Sequence, residues 1–203
     1  MTTDERLDPR ATALIVFDMQ NGGVRGNDPE RARWIADSQI VEHCVDLVAA
    51  ARAAKVRVFY VRNNRRADGA DQHDTITDQS IAAARANRPA ATPPANQYDM
   101  IDELKPEVGD FVVDKIRTGG FSSTALDTLF RANRIADVII CGVRTTVGVA
   151  TTVRDGRDLG YNMVLASDAT GGIAPEDHEW MLRKVFPMFA RVRTVAQIRQ
   201  MLG

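Results

Sequence analysis

Strand-length apolar runs alternate with stretches of helical period along most of the chain. Ala13-Leu14-Ile15-Val16-Phe17 is unbroken by a polar residue and stops at Asp18, the pattern of a strand covered on both faces. Ile35 to Ala54 predicts one helix, with Ile40, Cys44, Leu47 and Val48 on a single stripe. Val56 to Val61 predicts a second strand, and Phe111 to Lys115 a third, introduced by the turn residues Gly109-Asp110. A helix over Thr124 to Asn133 leads to a fourth strand, Val138 to Cys141, within the buried run Asp137 to Gly142. Another helix is expected from about Val147 to Leu159, stopping at Gly160. The fifth strand is Asn162 to Ala166, followed by a helix from Pro175 with Glu176 and Asp177 in its first turn. A short strand near Ala190 to Arg193 precedes a terminal helix opened by the capping box Thr194-Val195-Ala196-Gln197.

Repeated β-α-β units predict an α/β fold, a three-layer α/β/α sandwich of Rossmann-like type with a mostly parallel central sheet. No repeat or linker divides residues 1–203, so one domain is expected. The segment from Asn63 to Gly109 is irregular and rich in Arg, Asp, Ala and Pro; Pro89, Pro93 and Pro94 exclude one long helix. A loop of that length in a compact domain shapes a site or an oligomer contact.

Composition narrows the class. The 203 residues suffice for one sizeable core, and 44% hydrophobic with 26% charged residues is ordinary for a globular protein. A formal net charge of −1 leaves no broad basic surface for nucleic acid or an anionic membrane. No run approaches the roughly 18–20 apolar residues that span a bilayer, and Met1 to Arg10 does not resemble a signal peptide. The expected location is cytoplasmic. Two cysteines, Cys44 and Cys141, make no disulfide framework and read as buried small apolar residues.

Ligands of an open α/β sheet bind beyond the carboxyl ends of its strands. Three candidates fall there: Asp18 after the first strand, Lys115 at the end of the third, and the Val143 to Gly148 turn after the fourth. Arg62, Arg65, Arg66, Arg117 and Arg144 crowd the same edge. They form either a solvated basic rim or a set of forked donors for a substrate carboxylate, with Arg144 the strongest candidate. Phe17, Phe121, Tyr98 and Trp34 either wall the pocket or belong to core and subunit contacts. His43, His73 and His178 are too few and scattered for a metal centre, with only Asp74 beside His73, so no metal is expected.

Three segments carry a resemblance to the isochorismatase-like (cysteine hydrolase) superfamily. Ala13 to Asn21, reading Ala-Leu-Ile-Val-Phe-Asp-Met-Gln-Asn, is similar to its opening motif. Asp114-Lys115 followed by Phe121, Ser123-Thr124 and Leu126 resembles its lysine segment. Gly142 to Val149, with Thr151-Thr152 and Arg154-Asp155 behind, resembles its cysteine loop, and Asp168-Ala169 its following segment. The place of the cysteine is held here by Gly148, as in a subgroup with glycine for the nucleophile.

The resemblance implies that Asp18, Lys115 and Gly148 form the catalytic set. Asp18 would be the general acid or base, its pKa lowered by the Lys115 ammonium. It implies a non-proline cis peptide at Val143-Arg144 and an oxyanion hole built from the amides of Arg144 and Gly148. Arg144, Phe17, Gln20, Phe121 and Tyr98 would contact substrate. The implied activity is a cofactor-independent hydrolase acting on a small anionic metabolite by Asp/Lys acid–base catalysis with water, at a vinyl ether or similar bond. The alternatives are a catalytically silent small-molecule-binding member, or an amide hydrolase with an unconventional nucleophile among Cys141, Thr145 and Thr146. The expected partners are a small-molecule substrate and further copies of the chain as homodimer or homotetramer, with the 63–109 segment closing a neighbour's pocket; neither nucleic acid nor membrane is expected.

Overall fold

The computed structural model describes residues 5–26, 28–71, 75–86, 96–172 and 174–203. Six strands form the central sheet: β1 (Thr12–Phe17), β2 (Arg57–Asn63), β3 (Phe111–Lys115), β4 (Asp137–Val143), β5 (Asn162–Gly171) and β6 (Arg191–Arg193). Their spatial order is β3-β2-β1-β4-β5-β6, and every neighbouring pair is parallel. Each predicted apolar run is a strand. β5 extends beyond the predicted Ala166, and its register against β4 shifts between Ile140, opposite Leu165, and Gly142, opposite Thr170.

Among the described residues eight α-helices accompany the sheet: α1 (Asn21–Val24), α2 (Pro29–Asp37), α3 (Ile40–Ala53), α4 (Asp78–Arg85), α5 (Leu126–Ala132), α6 (Ala150–Asp158), α7 (Pro175–Trp180) and α8 (Val195–Leu202). Alternation along β1 divides the core into two layers. Leu14 and Val16 join Cys44, Leu47 and Ile198 under α3 and α8, whereas Ala13, Ile15 and Phe17 join Leu126, Phe130 and Val153 under α5 and α6. The three-layer sandwich expected from the pattern is therefore present. Both cysteines are buried in the first layer, and the Thr194 capping box forms, with Gln197 N–H donating to Thr194 Oγ1 at 3.3 Å.

Two helical expectations need correction. The periodicity over 35–54 predicts one helix, but the chain breaks at Gln39, whose φ is 53°. α2 starts earlier instead, at Pro29, where Asp28 accepts from the Arg31 N–H at 3.1 Å. The stripe hides the break because Ile35 and Ile40, on opposite sides of it, reach the same core layer. The helix after β4 opens with a π turn, Thr145–Val149, before α6 begins. The 63–109 segment contributes α4, a helix without a buried residue; Pro89, Pro93 and Pro94 lie outside the described residues. Among the described residues no helix is long and apolar enough to cross a membrane.

The strand order reverses between β1 and β4, since the chain runs outward to β3 on one side and to β6 on the other. A crevice opens where the connections diverge, and ligands of such sheets lie there.

Candidate active site

Beyond the carboxyl ends of β1, β3 and β4 lies a cleft of about 310 Å³. Asp18, Gln20, Asn63, Tyr98, Lys115, Arg144 and Gly148 line it, together with Arg65, Arg117 and Thr118. Asp18 takes a left-handed backbone conformation, φ 52°, directly after β1, while its N–H still bonds the Val61 carbonyl at 2.9 Å. Side-chain hydrogen bonding by Asp tolerates this region better than most residues.

Lys115, the last residue of β3, is 2% exposed, and its Nζ lies 3.0 Å from Asp18 Oδ2. The ammonium also donates to Asn63 Oδ1 and the Arg117 carbonyl, each at 3.2 Å. Asn63 completes the loop by donating from Nδ2 to Asp18 Oδ1 at 3.1 Å. Gln20 supports the arrangement from behind. Its Nε2 donates to the carbonyls of Asn63 (2.8 Å) and Tyr98 (2.5 Å), and its Oε1 accepts the Asn63 N–H at 2.8 Å.

Burial sets the electrostatics of the pair. Desolvation raises the Asp18 pKa above its ordinary value, outweighing the opposing pull of Lys115, Arg144 and Asn63. This corrects the expectation of a lowered value. Desolvation likewise lowers Lys115, against the pull of Asp18, with Arg65 and Arg144 adding to the fall. Both groups are thus pushed toward their neutral forms. Arg65, Arg117 and Arg144 bring three guanidinium groups to the cleft, where Asp18 is the single acidic residue among the described residues. Arg117 spends one Nη1 on the carbonyls of Asp71 (3.0 Å) and Ile116 (3.2 Å).

The turn after β4 depends on Gly142. Its φ is +118°, and a Cβ there would meet the Phe17 carbonyl oxygen at 2.0 Å. No cis peptide occurs among the described residues, so the expected cis bond at Val143-Arg144 is absent. The change of direction comes instead from Gly142 and from Arg144, which stays extended at ψ 106° ahead of the π turn. The Arg144 carbonyl accepts from the amides of Val147 (3.2 Å) and Val149 (3.3 Å), and Gly148 N–H, between them, is not among its donors.

Two residues expected to contact substrate, Phe121 and Phe17, are not among those that line the cleft. Phe121 stacks on Tyr161 (5.8 Å between centroids) and meets Phe130 edge-on, inside the second core layer. Phe17 points to that same layer, because strand alternation turns it away from the cleft, and it lies under the site rather than in its wall. Arg62 and Arg66 are engaged elsewhere, with Asp114 (2.7 Å) and Asp68 (2.5 Å). Trp34 meets His178 edge-on at 5.5 Å. Of the remaining histidines, His43 Nδ1 lies 2.8 Å from the Asp168 carbonyl, and His73 lies outside the described residues, as does Asp74.

Asn63 is the main residue that pattern reading left unassigned. Its signal is position: it ends β2 at the same sheet edge as Asp18 and Lys115. A second unforeseen contact joins Thr145 Oγ1 and His178 Nδ1 at 2.9 Å, although 33 residues separate them in sequence. Neither residue borders the cleft.

Residues 12–197 match the family model of the isochorismatase domain. The chain belongs to the isochorismatase family. The isochorismatase family protein YecD of Escherichia coli O157:H7 is 31% identical over 193 residues, spanning 95% of this chain and 96% of YecD. Ureidoacrylate amidohydrolase RutB of Methylorubrum extorquens is 32% identical over 209 residues, spanning 97% of this chain and 84% of RutB. A solved isochorismatase family protein from Burkholderia thailandensis superposes with a TM-score of 0.80 at 28% identity, covering 97% of both chains. The parallel six-stranded sheet with helices on both faces is thus the isochorismatase-like fold, and a hydrolase is the activity the family supports at the general level.

Proposed function

We propose that this isochorismatase-family chain hydrolyses a small anionic metabolite by acid–base catalysis at Asp18 and Lys115, with water as the nucleophile. The bond is a vinyl ether or one of similar acid lability. The observation that carries the reading is the Asp18 carboxyl, buried enough to hold its proton above the ordinary range, yet bordering the cleft 3.0 Å from Lys115. Gly148, where cysteine hydrolases of this family carry the thiol, offers an amide and no nucleophile. The chain accordingly falls in a subgroup of the family with glycine at that position.

The steps follow from the groups present. Asp18 passes its proton to the enol carbon, and the C=C electron pair forms the new C–H bond. The ether oxygen stabilises the resulting oxocarbenium ion. Water adds to the cationic carbon and returns a proton to the Asp18 carboxylate. The hemiketal then collapses with cleavage of the C–O bond to a carbonyl compound and an alcohol. Lys115 compensates the carboxylate while the proton is away. Arg65, Arg117 and Arg144 hold the anionic group of the substrate, with Gln20 and Tyr98 shaping the wall; the amides of Arg144 and Gly148 would stabilise the leaving oxygen as the hemiketal collapses and its hydroxyl proton passes to that oxygen.

A second reading, amide hydrolysis through a threonine hydroxyl, has two supports. RutB is an amidohydrolase, and the Thr145–His178 contact brings a hydroxyl to a histidine. It ranks second because neither residue borders the cleft. The deciding experiment is a turnover screen of isochorismate, small enol ethers and carboxylate-bearing amides, run beside Asp18→Asn. Release of a carbonyl product from an enol ether, lost in Asp18→Asn and retained in Cys141→Ala, is the expected result. Turnover that survives Asp18→Asn, or that stoichiometric thiol alkylation stops, overturns the proposal. Silence across the panel with thermal stabilisation by one compound identifies a binding protein instead.

A further inference from the structure

An aromatic ring forms the floor beneath the Asp18–Lys115 pair. Phe17 is fully buried, and Lys115 Nζ stands over its ring, 4.8 Å from the centroid. Two glycines meet the edge of the same ring. A Cβ added at Gly148 would lie 2.5 Å from Phe17 Cε1 and 3.0 Å from Cζ, and one added at Gly120 would lie 3.3 Å from Cε2. Nonbonded carbons settle at about 3.5–4.0 Å, so a side chain at 148 and the ring compete for one volume.

Neither partner has room to retreat. The ring is fully buried in the second core layer. The two glycines are tied together by Thr152, itself fully buried, whose hydroxyl accepts from the Gly120 N–H at 2.9 Å and donates to the Gly148 carbonyl at 2.7 Å. Behind Gly148 the Thr118 carbonyl oxygen closes the remaining space, 3.1 Å from the added Cβ.

We infer that Phe17 and Gly148 are a mutually exclusive pair: the ring occupies the volume that any side chain at 148 needs, and uses that volume to support Lys115 from below. The missing side chain at 148, in the π turn, is therefore enforced from β1. Phe17 is a positioning residue, acting through Lys115. A ring face attracts an ammonium, and it does so most strongly where water is excluded. Phe17 thus favours the charged form of Lys115 alongside the acceptors on Asp18, Asn63 and Arg117. The inference shares with the proposed function only the importance of the Asp18–Lys115 pair, and its test needs no substrate, so the two stand or fall separately.

The test is a thermal double-mutant cycle of Gly148→Ala, Phe17→Leu and the double variant, joined to an NMR titration of Lys115 Nζ. Gly148→Ala is expected to lower the melting temperature by about 5–10 °C through overpacking. Leucine lacks the ring atoms that meet position 148, so the double variant recovers at least half of that loss. Phe17→Leu alone moves the Lys115 titration down by about half a pH unit, a response that loss of packing alone does not give. Gly148→Ala as stable as the parent, or losses that add in the double variant, overturns the exclusion; a double variant that fails to fold does the same. An unmoved Lys115 titration in Phe17→Leu overturns the positioning role.

Discussion

Two polar pairs, each of one buried and one half-buried residue, flank the turn that follows β4, and they differ in what surrounds them. Asp18 and Lys115 border a cleft that three arginines share, and each belongs to a closed ring of hydrogen bonds through Asn63. Thr145 and His178 face no part of that cleft; the imidazole meets Trp34 edge-on, and burial lowers its pKa so that it stays neutral. The first is a carboxyl and an amine that desolvation pushes toward their neutral forms at the border of an open cleft. The second is a neutral contact that braces the π turn against α7. Chemistry at this sheet edge is thus a matter of which polar pair is open and surrounded by convergent charge, since burial and short distance are common to both.

The largest expected effect falls on the open pair. Asp18→Asn, which keeps size and removes the proton donor, lowers kcat/KM by about 10²–10⁴-fold, measured on whichever enol ether the screen identifies. Lys115→Met removes the ammonium's hydrogen bonds to Asp18, Asn63 and the Arg117 carbonyl, and stability measured by denaturant unfolding falls by about 1–3 kcal/mol. Loss of less than about 1 kcal/mol would equate the pair with an ordinary surface ion pair and remove the contrast.

The pH dependence sharpens the same point. Under the proposed mechanism Asp18 works protonated, so activity is expected to decline as pH rises through its folded-state pKa. Burial raises that value, and the descending limb of kcat/KM therefore lies above 3.8. Lys115→Met removes an influence that lowers it, and the limb moves to higher pH still. A limb at or below 3.8 would contradict the role of burial at this carboxyl.

Smaller effects belong to the rim and the brace. Arg144→Gln raises KM about tenfold for a carboxylate-bearing substrate and leaves a neutral analogue unaffected, as for the loss of one charge-assisted hydrogen bond. His178→Gln and Thr145→Val each cost about 1 kcal/mol of stability and leave turnover within a factor of about two. A collapse of turnover in either would promote the brace to part of the chemistry and revive the threonine reading.

Most of the architecture was legible because its signal is local. Apolar runs on doubly covered strands leave no ambiguity of period, and Asp18 and Lys115 announce themselves as charged residues ending two of them. The break at Gln39 was not legible, because Ile35 and Ile40 serve one core layer from two helices and the spacing survives the interruption. Phe17 and Phe121 read equally well as wall or core; only the face of the sheet decides, and for both it is the second core layer. Asn63 carries no periodicity and gains meaning only when β2 and β3 lie side by side, with Asn63 opposite Lys115. The direction of the Asp18 shift was missed because a neighbouring ammonium is visible in a motif and the depth of burial is not.

The Gln20 side chain has a consequence in time. Its hydrogen bonds reach across 43 residues to Asn63 and across 78 to Tyr98, so one amide stitches together three parts of the chain that leave the ribosome far apart. A contact of such long range is entropically expensive to close until the strands between are already paired, and an all-parallel sheet pairs slowly. The framework of β1, β2 and β4 is accordingly expected to form before the cleft does. On refolding, closure of the Gln20 contacts is then expected to lag recovery of secondary structure.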